Sequence, residues 1–431
     1  MSIRRPSPRS AVAALAAGGL VAAALFTAGP APAVDSPQAP LETAAAPAFL
    51  VPSSARADAL PRPRSVLGAS SVVTLQTSLL PSRAAGQPIR FDLGRQAVTG
   101  TFTHIEHHRD FTAWTGPLDV EFGSFTIVRS GSVYRASLTW PQGLWEVTQA
   151  EGSRYWLTAV APYAGPPSAD DTVSLPTGRA ASRSSAPAVS APAASERRGS
   201  RIDVLFAFTP SAKAAAGSKD GIKAAAGQAA AVTNLALRNS GIKAQIRVKG
   251  VVRVKGKESG SVFKDVKRLY RPRDGKFDSA LKARSRRNAD IVHLLTGGPS
   301  TEVCGAAAAP RKLSEAVPGF GASTSYVSCL PYIVATHELG HNLGADHIYY
   351  PGVTHDSKMP GAYAWYDQPH HFLTALGYYD PCVDVGDYSC VRIPYFSNPH
   401  GNYFGFAIGS KEANNAKVIS KFAPRVARYS R

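Results

Sequence analysis

His337-Glu338-Leu339-Gly340-His341-Asn342-Leu343-Gly344-Ala345-Asp346-His347 is the stretch on which the reading of this chain turns. His337 and His341 are four residues apart. On a helix that spacing puts both imidazoles on one face, one turn apart. Two neutral ring nitrogens can then reach one zinc ion at about 2.0–2.1 Å. Glu338 flanks the first of them, and its carboxylate can face the metal's open position and move a proton from water to a leaving amine. Gly344 follows three residues after His341. Without a Cβ it can take a positive φ and end the helix sharply. The chain then turns back, and His347 can supply a third ligand. Three protein ligands and an open position are the layout of a catalytic zinc, whereas a structural zinc usually has four. Such a metal lowers the pKa of bound water from ~15.7 toward ~7 and polarises a carbonyl. The competing reading is an ordinary helix that happens to carry histidines. The glycine and third histidine at their offsets argue against it.

Residues outside this stretch extend the pattern. They are Asp203, Asn234 to Ser240, Ala289-Asp290-Ile291-Val292, Cys304-Gly305-Ala306-Ala307, Cys390-Val391-Arg392-Ile393-Pro394-Tyr395-Phe396-Ser397-Asn398-Pro399 and Asn414-Asn415-Ala416. With the histidine motif they make residues 203–427 resemble the metzincin zinc metallopeptidases, most of all the bacterial reprolysin (adamalysin-like) group. The resemblance implies a zinc endopeptidase made as a zymogen. A zinc-bound water would attack the peptide bond, with one zinc on His337, His341 and His347 and Glu338 as general base and acid. It also implies an α/β (α+β) catalytic domain with a mixed sheet, a zinc helix and a small irregular lower subdomain.

One departure stands out. Metzincins carry a methionine in a tight turn beneath the metal. The matching segment here is Phe372-Leu373-Thr374-Ala375-Leu376-Gly377-Tyr378, which puts Leu376 at that place. Leucine is close to methionine in volume, and such exchanges usually cost under ~1.5 kcal/mol. Leu376, with Gly344, is therefore expected to support the ligands. Met359, twelve residues past His347, is less suited to the turn. Tyr378, two residues after Leu376, matches a tyrosine that in some metzincins binds zinc or steadies the oxyanion; a packed core tyrosine is the alternative. His370-His371 could line a cleft. His355, Asp356, His104, His107 and His108 show no metal-ligand spacing.

The remainder of the chain points to export. Arg4, Arg5 and Arg9 precede an apolar run from Ala11 to Ala28, and Ala31-Pro32-Ala33 offers a small-x-small cleavage pattern. Residues 1–33 thus read as a signal peptide and the protein as secreted. No later run is long enough for a membrane span. The four cysteines are Cys304, Cys329, Cys382 and Cys390. In an exported chain they read as disulfides. Of three connectivities, Cys304–Cys329 with Cys382–Cys390 closes the shortest loops.

Residues 34–64 are Pro/Ala-rich and read as disordered. Residues 65–162 show short alternating runs, including Leu118 to Phe122, and read as a small all-β sandwich or roll resembling a propeptide domain. Residues 163–199 read as a linker ending in a dibasic processing site, Arg197-Arg198. The catalytic domain then occupies 200–431. Its Gly221 to Asn239 segment has an apolar stripe of Ile222, Ala225, Ala229, Val232, Leu235 and Ala236. The 65–162 region has no cysteine to cap a metal, so latency would need another group or simple steric cover, and Asp170-Asp171 are candidates for such a group. The formal charge is +18. Basic residues gather in 243–287, which could be a solvated face or could dock on an anionic surface. No nucleic-acid motif accompanies them, and nothing singles out a calcium site. The expected partners are protein or peptide substrates. A non-catalytic zinc-binding protein and an amidase are the rival functions; the intact Glu338 and the full motif disfavour them.

Overall fold

Two sheets meet across a single alanine-rich helix, and that helix organises the molecule. The computed structural model describes residues 46–53, 60, 68–82, 86–141, 143–161, 171–173, 199–298, 303–350, 355–387, 389–403 and 405–431. The leader, Asp170 and Arg197-Arg198 lie outside them.

The first sheet has eight antiparallel strands. Their order is Leu50–Pro52, Ser70–Leu75, Arg154–Ala159, Gly143–Glu151, Val133–Trp140, Ser124–Ser130, Thr112–Pro117 and His104–His107. A hairpin of Pro88–Asp92 and Ala97–Thr101 covers one face, where Ile89, Phe91 and Val98 join Phe125, Ile127, Leu138 and Val147 in one core. One large sheet with a hairpin lid stands where a small sandwich or roll was expected. Leu118 to Phe122 is a turn rather than a strand, with Phe122 at φ 53°. The segment 34–64 is not disordered throughout. Leu50–Pro52 pairs with Ser70–Leu75, and Phe49 and Leu50 are fully buried.

The second sheet is mixed. Its order is Thr172–Val173, Gly305–Ala308, Ala322–Tyr326, Ile291–Thr296, Ser200–Phe208 and Ala244–Arg253. Neighbours are parallel except Gly305–Ala308, which runs antiparallel to Ala322–Tyr326. Ile202 to Phe208 is almost continuously apolar because layers cover both of its faces. The helix Lys219–Asn239 makes the crossover between Ser200–Phe208 and its parallel partner Ala244–Arg253. Ser218 caps its start by accepting from the Gly221 N–H at 2.8 Å.

That helix is buried all round from Gly221 to Leu237, not along one stripe. The second sheet takes one side. Phe111, Ala113, Val128 and Leu144 of the first sheet pack into the same core. A Cβ on Gly227 would lie 2.7 Å from Val128 and 2.8 Å from Phe111. Glu106 accepts from Asn234 at 2.7 Å and pairs with Arg238 at 2.8 Å, and Asp110 pairs with Lys223 at 3.2 Å.

The stretch 163–199 is not wholly a linker, because Thr172–Val173 adds to the edge of the second sheet. Within the basic run, an unforeseen helix spans Val262–Tyr270. Arg247 and Lys249 pair with Asp203, and Arg268 with Asp265. The lower part holds a small sheet of Tyr366–Asp367, Phe372–Leu373 and Val391–Arg392, and then the helix Asn415–Val426. Disulfides join Cys304 to Cys329 and Cys382 to Cys390. No helix among the described residues is long and apolar enough to cross a membrane.

Candidate metal centre

The histidine helix, Val334–Asn342, is wholly buried. Thr336 shares a hydroxyl hydrogen bond of 3.0 Å with Thr233 of the long helix. Asn342 Nδ2 faces the carbonyls of Ala308, Phe320 and Ala322 at 2.9–3.0 Å and ties the helix end to the sheet. Gly344 then takes φ +79°, and the Ala345 N–H reaches back to the Gly340 carbonyl at 3.1 Å. This is the left-handed helix stop anticipated for that glycine. A Cβ there would also meet the Phe422 ring at 2.7 Å.

The turn brings His347 back to His337 and His341, and all three are fully buried. His337 Nδ1 donates to the Ala375 carbonyl at 2.8 Å, and His341 Nδ1 to the Ala345 carbonyl at 2.9 Å. A carbonyl only accepts, so each Nδ1 carries the proton and each Nε2 presents its lone pair. Burial pushes the His337 ring down to about 3, which keeps it neutral, as a metal ligand must be.

Facing these nitrogens is a residue from far upstream. Asp171 carboxylate oxygens lie 3.2 Å from His337 Nε2, 3.2 Å from His341 Nε2 and 2.9 Å from His347 Nε2. The Nε2 atoms of His337 and His341 are buried without a hydrogen bond. Lone pairs and a carboxylate that meet this closely repel unless a positive charge lies between them. Two ligands each about 2.0–2.1 Å from a tetrahedral zinc lie roughly 3.3 Å apart. The spacing and donor set therefore fit zinc. Burial acts to raise the Asp171 carboxyl, but His337 and His347 hold it well below the usual carboxylate range.

Both carboxylate oxygens of Glu338 are buried without a hydrogen bond. Burial, joined by the charge of Asp171, raises this carboxyl well above the usual range, while Arg392 opposes the rise. Gly305 makes room for it, since a Cβ there would lie 2.5 Å from Glu338 Oε1. Tyr378 stacks on His347 with ring centres 4.1 Å apart and accepts from the Asp171 N–H at 3.2 Å. Burial, then the Asp171 charge, keeps its hydroxyl protonated. Leu376 is fully buried, and a Cβ on Gly340 of the histidine helix would lie 2.8 Å from it.

Other candidates stand apart. His370 pairs with Asp367 and His371 with Asp387, each at 2.8 Å, outside the histidine cluster. His355 stacks on Tyr349, and Met359 packs at the edge of the core. His104 and His107 are exposed, and His108 reaches Glu106. Sequence reasoning passed over Asp346. It accepts from the N–H groups of His347, Asp356 and Ser357 at 2.8–3.0 Å and so shapes the loop that carries the third histidine.

Residues 223–348, which include the whole histidine motif, match the model of the reprolysin-like metallopeptidases of family M12B. Over those residues the chain is similar to the reprolysin-like metallopeptidases. The chain is 27% identical over 209 residues to a peptidyl-Asp metalloendopeptidase of Stenotrophomonas maltophilia (strain K279a). The match covers 47% of this chain and 46% of the relative, so it spans about half the length of that curated relative. Among solved structures, metalloproteinase-II from Bacteroides fragilis aligns at 14% identity and TM-score 0.39, over 61% of this chain and 82% of that one. A chaperone–substrate complex aligns at 21% identity and TM-score 0.42, over 54% and 36%.

Proposed function

We propose that this chain is a secreted zinc-dependent endopeptidase made as a zymogen. The observation that carries the reading is three buried imidazole nitrogens converging on one point beside the buried, unpaired carboxylate of Glu338. His337, His341 and His347 would hold the zinc. When bound, it supplies Lewis acidity that makes water more acidic and polarises a carbonyl. Glu338 takes a proton from the attacking water and returns it to the leaving nitrogen. Burial raises this carboxyl, which favours its taking up that proton. The Tyr378 hydroxyl, protonated and stacked on His347, can donate to the oxygen that gains charge.

Latency falls to Asp171. Its carboxylate fills the direction that a substrate carbonyl needs. Thr172–Val173, immediately after it, fills the sheet edge beside Gly305–Ala308 on which an extended peptide could add as a strand. The relative's name places Asp at its cleavage site. We extend to this chain a preference for bonds beside an acidic residue.

The test pairs metal content with proteolysis of casein, in the processed chain starting near Gly199 and in its Glu338→Ala variant. About one zinc per chain in both, with cutting lost in the variant, is the expected result. Absence of zinc would remove the three-histidine assignment. Zinc without cutting would favour a binding protein.

A further inference from the structure

Arg392 is a buried cation with no counter-ion among the described residues. It is 9% exposed, in the short strand Val391–Arg392. Its Nε donates to the Gly377 carbonyl at 2.6 Å, and its guanidinium lies 5.0 Å from the centre of the Tyr379 ring. Its backbone N–H donates to the Tyr379 hydroxyl at 3.3 Å. Among the described residues no carboxylate comes within 4.0 Å of it. Its two terminal nitrogens make no hydrogen bond to described residues, yet they are not sealed from solvent.

Burying a guanidinium is unfavourable unless its charge and donors are matched. A carbonyl and an aromatic face match only part of it. The described residues leave the charge itself unmatched, and a planar fork of N–H donors fits a carboxylate best, through two parallel hydrogen bonds.

The placement says where that carboxylate would come from. Arg392 is fastened to Gly377, between Leu376 beneath the histidine helix and Tyr378 against His347. Ala375, two residues earlier, orients His337. The same segment thus fixes a metal ligand, a candidate oxyanion donor and the free cation.

We infer that Arg392 is the specificity-determining residue of the cleft: its terminal nitrogens take the side-chain carboxylate of an Asp or Glu next to the scissile bond. The inference rests on the endopeptidase reading above and names the residue that selects the substrate. An Asn or Gln at that position would leave the guanidinium unmatched, and a Lys or Arg would be repelled.

The test uses the full chain carrying Asp171→Ala, so that no carboxylate covers the histidines. Peptides that differ only in Asp, Asn or Lys beside the bond are compared by kcat/KM, and cut positions are mapped by mass spectrometry. We expect Asp over Asn by at least about 100-fold. Arg392→Lys should keep the preference. Arg392→Gln should bring it below about 5-fold while the Asn peptide is still cut. Arg392→Glu should invert it toward Lys, a result that misfolding cannot produce. An unchanged ratio in Arg392→Gln, or continued cutting beside Asp by Arg392→Glu, overturns the inference. If no peptide is cut by any form, either the endopeptidase reading fails or Thr172–Val173 still covers the sheet edge, and fluorescence anisotropy decides this one. The Asp peptide must then bind more tightly than the Asn peptide, and equally well once Arg392 is Gln; equal binding to the Arg392 form overturns it.

Discussion

A methyl group at residue 305 would lie 2.5 Å from Glu338 Oε1, 2.8 Å from its Cγ and 2.8 Å from the Thr324 carbonyl. The backbone atom cannot yield cheaply, so the carboxylate must move. Gly305→Ala should therefore lower kcat by about 10²–10⁴-fold, the range of a misplaced general base. Zinc content should stay unchanged, because no histidine is touched. Equal kcat in the variant, measured beside metal content, would show that Glu338 tolerates displacement. The motif residues were legible because their spacing alone puts two rings on one helical face, and because only a glycine readily makes the following turn. Gly305 and Arg392 also stand in segments that resemble the family. Gly305 lies against Glu338 across 33 residues of chain and Arg392 bonds Gly377 across 15, and spacing cannot show such contacts.

At the scale of elements, the long helix shows what a hydrophobic pattern hides. Its stripe of Ile222, Val232 and Leu235 was readable, but its opposite face is mostly alanine and glycine. Small residues serve equally on a solvated face and in a close contact, so sequence periodicity left the second neighbour open. The first sheet closes on Gly227 with no room for a side chain. Gly227→Leu should wedge Val128 and Phe111 away, at about 1–3 kcal/mol of overpacking. Hydrogen exchange should then quicken in Thr112–Pro117 and Ser124–Ser130 while Ile291–Thr296, on the other sheet, stays protected. Uniform loss of protection would mean that the two sheets unfold as one unit. The choice between a sandwich and a roll stayed open for a related reason. Thr112–Pro117 contains Gly116 and Pro117 and is buried on both faces, so it shows no alternation.

For the whole molecule, the sheet preceding residue 161 and the mixed-sheet part that follows residue 199 share one core, and a three-residue segment from between them reaches the histidines. Asp171 lies 2.9–3.2 Å from all three, and Thr172–Val173 pairs with the strand that walls Glu338. Sequence alone could nominate Asp170 and Asp171 only as nearby carboxylates. The ion pairs of Glu106 and Asp110 with the long helix hold that sheet in place, so the segment is presented at high local concentration. Substituting Asp171 with Ala removes the carboxylate and leaves three histidines to keep the zinc. We expect the intact Asp171→Ala chain to cut a peptide at least ~10-fold faster than the intact unmutated chain, with equal zinc content. Activity should still fall short of the processed form, because Thr172–Val173 continues to occupy the sheet edge. Equal rates in the two intact chains would mean that the strand alone is the brake. Full activity in the variant would mean that the carboxylate alone is, and that the strand yields to substrate once the charge is gone.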